Sequence, residues 1–200
     1  MWLTVSADAP SCAVGLSHRT PSVAPVIGMA TKRKSRKRAG KGGIESITTC
    51  LAFKDRAEEA VKFYVSVFPN SKIVRLSRSE SDGPIPKGKL MGATFRLFGR
   101  EFTAFDGGPA FSFSIGASLM VLCRTQGEID RLWEKLSQGG EKGPCGWLTD
   151  KFGVSWQVVP VALGEMLSDS KHGDSEAAMK AMLKMEKLDI ATLERAYRGR

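Results

Sequence analysis

Histidine is scarce in this chain. His18 and His172 are the whole supply in 200 residues, so a Ser-His-Asp set or a metal centre built on several imidazoles has almost nothing to draw on. The four cysteines, Cys12, Cys50, Cys123 and Cys145, form no CxxC pair and share no close spacing, which argues against a zinc knuckle and against a disulfide framework. A reducing compartment follows, and the three thiols in or beside predicted strands, Cys50, Cys123 and Cys145, are expected as small buried side chains. No apolar run approaches the roughly 20 residues of a bilayer-spanning helix. The first 30 residues lack the basic start and continuous apolar stretch of a secretory signal, so the cytoplasm is the expected location. There is no strand-GxGxG-helix loop for S-adenosylmethionine, and the GGP at 107–109 precedes no helix that would make it a phosphate cradle.

What is present is positive charge, unevenly placed. The formal net charge is +9, and residues 1–43 carry +7 of it, eight basic residues against Asp8 alone. The rest of the chain is nearly neutral. The high isoelectric point therefore describes a basic tail, with a segment at 32–41, rather than the ligands of a domain. The tail lacks an amphipathic period and is rich in small residues, so disorder is expected over 1–43. Met29 opens the basic segment, and both Met1 and Met29 stand as candidate starts.

From residue 44 the pattern becomes regular. ITTCLAF alternates as a strand, Asp55 is expected to cap a helix, and AEEAVKFYVSVF puts Ala57, Ala60, Val61, Tyr64, Val65 and Phe68 on one face. SKIVRLSRS, KLMGATFRLFG and REFTAFD read as three further strands, the last two meeting at a Gly-Arg turn. After GGPAFSF the order restarts: ASLMVLC as a strand, Thr125 as a cap, QGEIDRLWEKLSQGG as a helix with Ile129, Leu132, Trp133 and Leu136 inward, then GPCGWLTD and VSWQVVP as strands. This is a βαβββ repeat in an α+β fold, modules 44–106 and 115–160, the second reading as one strand short. Two such modules, each exposing one sheet face, would bury those faces in a shared cleft, within one chain or between two. Residues 161–200 read as a helical extension, VALGEMLSD followed by a long helix through DSEAAMKAMLKMEKLDIATLERAY. Its stripe of Met179, Met182, Leu183, Met185 and Leu188 is expected to pack on the domain or on a partner subunit.

The stretches AEEAVKFYVSVFPNS, FDGGPAFSF, CGWLTDKFGVSWQVVP and AMLKMEKLDIATLERAY resemble the PhnB-like branch of the vicinal oxygen chelate (glyoxalase and bleomycin-resistance) superfamily. That branch carries the label 3-demethylubiquinone 3-methyltransferase-like, and the resemblance covers about residues 44–198. It implies paired βαβββ modules around a cleft, followed by C-terminal helices, and a homodimer. It also implies, in metal-using relatives, two His and two Glu residues that hold a divalent ion acting as a Lewis acid. Carried over by position, the pattern fails. Counting forward from Asp150 in the Asp-x-x-Gly turn puts Gln157 where the second module's Glu would stand. Ser118 falls near its His position, Thr48, Thr49 or Cys50 near that of the first module, and Phe105 or Asp106 near the first carboxylate. Gln157 is a neutral amide that orients ligands by donating and accepting hydrogen bonds, a poor metal ligand and no general base. No cofactor is expected; a divalent metal is the alternative, without support from these residues.

The leading reading is therefore a small-molecule-binding protein whose ligand contacts are Thr48, Ser118, Trp147 and Gln157. Gln157 could equally satisfy backbone groups, and Trp147 and Trp156 are each core or cleft wall, with core favoured for Trp156. If the protein is catalytic, Cys50 serves as nucleophile or soft ligand, Asp106 as acid or base and Gln157 as orienting group. The alternative is nucleic-acid binding through Lys32, Arg33, Lys34, Arg36, Lys37 and Arg38, whose phosphate contacts would be steeply salt dependent and indifferent to sequence.

Overall fold

The computed structural model describes Gly43 and residues 45–199. The tail, with Cys12, His18 and the basic segment, lies outside the described residues. The first module runs β1 (Thr49–Phe53), α1 (Ala57–Val67), β2 (Lys72–Arg78), β3 (Leu90–Leu97) and β4 (Arg100–Asp106). The second runs β5 (Leu119–Cys123), α2 (Gln126–Ser137), β6 (Glu141–Lys142), β7 (Trp147–Thr149) and β8 (Ser155–Pro160). Each module forms one four-stranded sheet, ordered β1-β4-β3-β2 and β5-β8-β7-β6, with the first and fourth strands parallel and the other pairs antiparallel. The repeat is thus complete. The second module is not a strand short, because β6 supplies the missing one with two residues, too few for any alternation to show in sequence.

Period-2 patterning decides which side of each sheet is buried. Leu51, Phe53, Ala93, Phe95, Phe102 and Ala104 point to the helix side of the first sheet, and Leu148, Trp156 and Val158 to that of the second. Ala57, Ala60, Val61 and Tyr64 of α1, with Ile129, Leu132, Trp133 and Leu136 of α2, complete a single core shared by both modules. Aromatic rings cross the junction. Trp156 meets Tyr64 edge-on and stacks on Phe68, each with centroids 5.3 Å apart, and Phe53 meets Phe113 at 5.1 Å. Trp156 is 2% exposed and belongs to this core. The β3–β4 hairpin turns at Phe98 and Gly99, both with positive φ (47° and 82°), the conformation a two-residue hairpin demands of its loop.

The helices begin in different ways. Thr125 caps α2 through a full capping box, its hydroxyl accepting from Glu128 N while the Glu128 carboxylate takes Thr125 N. At α1 the local residue does not serve. Asp55 makes no cap, and Asp106 Oδ1, at the end of β4, accepts from Ala57 N at 2.7 Å.

The C-terminal segment is α3 (Val161–Ser168), α4 (Ser175–Met182) and α5 (Ile190–Arg198), not one long second helix. Asp189 caps α5 by accepting from Thr192 N, and the chain before it runs along the second module. Met185 O and Glu186 O accept from Cys145 N and Gly146 N, each at 2.7 Å, while Gln126 bonds both Leu188 O and Ile190 N. Leu163, Met166, Ala178, Leu188 and Leu193 form a second core. Of the apolar stripe, Leu188 is buried, Met182 and Met185 pack against this core, and Met179 and Leu183 remain exposed.

Candidate functional site

With the helix sides consumed by the shared core, one face of each sheet stays open, and the two open faces carry different chemistry. On the second sheet, β5 presents Met120 and Leu122, 55% and 62% exposed. Gln157 stands between Met120 of β5 and Trp147 of β7 in register, and its Nε2 donates to Ser118 Oγ at 2.8 Å. The turn that brings Trp147 there is tight. Trp147 N donates to Pro144 O, Cys145 and Gly146 take positive φ (58° and 81°), and a Cβ at Gly146 would lie 2.7 Å from Val158 O, so only glycine allows this approach. Ser118, Trp147 and Gln157 therefore share one face, and Gln157 is half-buried with its bond going to a side chain rather than to the backbone.

The open face of the first sheet is polar. Cys50 of β1 lies opposite Thr103 of β4, which lies opposite Thr94 of β3, and Arg96 lies opposite Glu101. Thr48 continues this side, its hydroxyl donating to Glu101 O at 3.0 Å. Arg75 and Lys72 of β2 pair with Thr94 and Arg96. Cys50 is exposed, contrary to the expectation of a buried thiol; Cys123 is the buried one, and burial pushes its pKa up to about 11. At the far end, Phe111 of the inter-module loop meets Phe105 edge-on at 5.8 Å.

Asp106 is not brought together with Cys50. The alternation of β4 turns Glu101, Thr103 and Phe105 to the open side and Asp106 to the helix side, where it holds the start of α1. There it lines a charged cavity of about 550 Å³ with Asp55, Arg56, Glu58, Arg78 and Lys87. Arg78 and Lys62 beside Glu58 hold its carboxyl below the usual range by hydrogen bonding. His172 is exposed and bonds Asp169, away from both sheets, through Nδ1 at 2.7 Å. Among the described residues no three His, Cys, Asp or Glu side chains gather at metal-binding distance.

One residue that sequence reasoning treated only as a turn marker organises the module junction. Asp150 is buried, and its carboxylate accepts four hydrogen bonds: Tyr64 OH at 2.7 Å, Trp156 Nε1 at 2.8 Å, and the N–H groups of Phe152 and Val154 at 2.9 and 3.0 Å. Such saturation makes a buried charge tolerable. It also ties α1 of the first module to the turn before β8, and so sets where Gln157 emerges. Burial and the neighbouring Asp150 carboxylate drive the Tyr64 phenol far above its ordinary pKa, leaving it a permanent donor. The arginines of the first open face were likewise missed, although Thr94 and Arg96, then Glu101 and Thr103, alternate with buried residues in a way that period-2 reading detects.

The described residues include no helix long and apolar enough to cross a membrane. Comparison with known structures finds a PhnB protein from Bacillus cereus, 41% identical over 58% of this chain and 100% of that one, with a TM-score of 0.54. A protein from Pseudomonas aeruginosa is 23% identical over 58% of this chain and 98% of that one (TM-score 0.49). The fosfomycin resistance protein FosX from Mesorhizobium loti is 16% identical over 63% and 99% (TM-score 0.47). No curated protein matches the chain. The model of the 3-demethylubiquinone-9 3-methyltransferase family matches residues 45–159, the stretch that forms the two βαβββ modules, and the chain belongs to this PhnB-like family.

Proposed function

We propose that the protein binds a small molecule on its open sheet faces by polar recognition, without a metal, and that a second copy of the chain closes the cleft. The carrying observation is the Gln157–Ser118 pair set among Trp147, Met120 and Leu122, since a sheet face with large unpartnered apolar side chains and a few convergent polar groups has the composition of a ligand site. The donor set disfavours the ion used by metal-dependent members of the fold. Gln157 and Ser118 are neutral, Asp106 faces the helix side, and Cys50 is the soft donor left on the first face. Any covalent step would start at Cys50, which is exposed beside Thr103. The free thiols at Cys50, Cys123 and Cys145 agree with a cytoplasmic location.

Binding of benzamide, a flat neutral amide, followed by amide and indole NMR shifts, tests this reading. Saturable shifts at Trp147 and Gln157 that weaken in Gln157→Leu are expected. Benzamide binding that ignores Gln157→Leu and Ser118→Ala would sink it, as would stoichiometric metal retained after dialysis against Ni, Zn, Mn and Fe in turn. Dimerisation is checked by mass in solution, a strict monomer counting against the shared cleft.

A further inference from the structure

We propose that the open face of the first sheet is an oxyanion site, in which Arg96 and Arg75, backed by Thr94 and Thr103, hold the carboxylate or phosphate group of the bound molecule. The inference rests on the small-molecule reading above and names the chemical class of its ligand.

Arg96 has a donor to spare. Its Nε is buried and has no hydrogen-bond partner, the one such side-chain atom among the described residues. A buried donor left unsatisfied carries a desolvation penalty that a ligand acceptor would remove. The guanidinium is otherwise held by a single contact, Nη2 to Glu101 Oε2 at 3.2 Å, between two side chains that are each more than a third exposed. A planar guanidinium with free N–H groups matches the paired oxygens of a carboxylate or phosphate.

The surroundings favour an anion. In register, Arg75 lies across from Thr94 and Lys72 across from Arg96, on the same side of the sheet, and neither cation forms an ion pair among the described residues. Three cations thus face Glu101 alone, with two threonine hydroxyls between them and the exposed edge of β1. Like charges at adjacent sheet positions repel, and a bound anion turns that repulsion into attraction.

The second open face does not supply it. Ser118, Met120, Leu122, Trp147 and Gln157 carry no charge, and the carboxylate on that side, Glu141, sits on the edge strand β6. If the two faces meet across a dimer, the arginines find amide and apolar surface opposite them, so the balancing charge must arrive with the ligand. Its flat or apolar body would then lie against Trp147 and Met120.

The test compares benzoate with benzamide, one ring carrying either an anion or a neutral amide, on the full chain at constant ionic strength with chloride as background. Benzoate is expected to bind about tenfold more tightly than benzamide, with saturable movement of the Arg96 Nε–Hε resonance. Arg96→Met and Arg75→Met should each remove most of that preference and leave benzamide affinity unchanged, while Lys180→Met, on α4, changes neither. Arg75 is exposed, so its variant reports even if Arg96→Met fails to fold. Equal binding of the two probes, with benzamide shifting Trp147 and Gln157, overturns the oxyanion site and leaves the small-molecule reading standing. Loss of dimer mass in the arginine variants, without any benzoate preference in the parent protein, assigns the arginines to a subunit contact and also overturns it.

Discussion

The two modules share one strand order and differ in almost everything their open faces carry. The first sheet displays Arg75, Arg96, Thr94, Thr103 and Cys50; the second displays Met120, Leu122, Trp147 and the Gln157–Ser118 pair. Their buried faces, by contrast, are alike, because both must feed one core. A repeat whose two copies are alike in apolar character where they pack and divergent where they face outward separates the two kinds of constraint on sequence. Packing constrains shape and apolarity, and the open side is left to vary with what it must recognise. The caps repeat the lesson on a smaller scale, α2 starting from its own Thr125 and α1 from the distant Asp106.

The junction between the modules should be the most sensitive point. Asp150→Ala strips four donors of their acceptor, and a loss of about 3–5 kcal/mol is expected in urea unfolding. Tyr64→Phe should cost about 1.5–3 kcal/mol, since it removes one bond to a charged group. A small effect for Asp150→Ala would mean that the modules are held by aromatic packing alone. Leu132→Ala, 4% exposed, should cost about 2–5 kcal/mol, and Leu122→Ala, 62% exposed, less than about 0.5 kcal/mol for the folded chain. If Leu122→Ala nevertheless lowers the mass in solution, the open face is a subunit contact. Asp106→Ala and Thr125→Ala should each cost about 1 kcal/mol. An isolated peptide of α2 should be more helical than one of α1, because only α2 carries its acceptor with it.

Two smaller effects separate the faces chemically. At pH 8, iodoacetamide should label Cys50 and spare Cys123, whose thiol burial pushes up to about 11, as read by peptide mass spectrometry. Glu58 has a depressed pKa in the folded chain because of Arg78 and Lys62, so its contribution is present above the ordinary glutamate pKa of 4.5 and fades as pH falls through the lower folded value. Arg78→Met should flatten that part of the acid limb in thermal melts taken from pH 7 down to pH 3. The basic segment is tested separately, by filter binding of the full chain against residues 44–200. Retention of nucleic acid by both or by neither would remove it as a binding element.

Much of this architecture was legible because it is written in periodicity. The face of α1 through Ala60, Val61 and Tyr64, the capping box at Thr125, and the alternation in β1, β3 and β8 all report burial over a few neighbouring residues. The misreadings share a different cause. Strand β6 has two residues and no period, the last helix breaks where backbone groups of 185 and 186 are taken by the turn at 145 and 146, and the cap of α1 comes from 49 residues away. Sheet registers place Ser118 and Trp147 beside Gln157, and Cys50 on the side opposite Asp106.

Sequence alone determined the repeated module order apart from the two-residue β6, the scarcity of histidine and the neutral amide at Gln157, since composition and hydrophobic period depend on nothing beyond the chain. Tertiary structure decided that Asp106 holds a helix and Asp150 a module junction. It also decided that Arg96 lies across from Lys72 with a donor unspent. Each depends on which residues meet across long sequence separations, and a carboxylate or guanidinium takes its role from the partners that folding brings within about 3 Å of it.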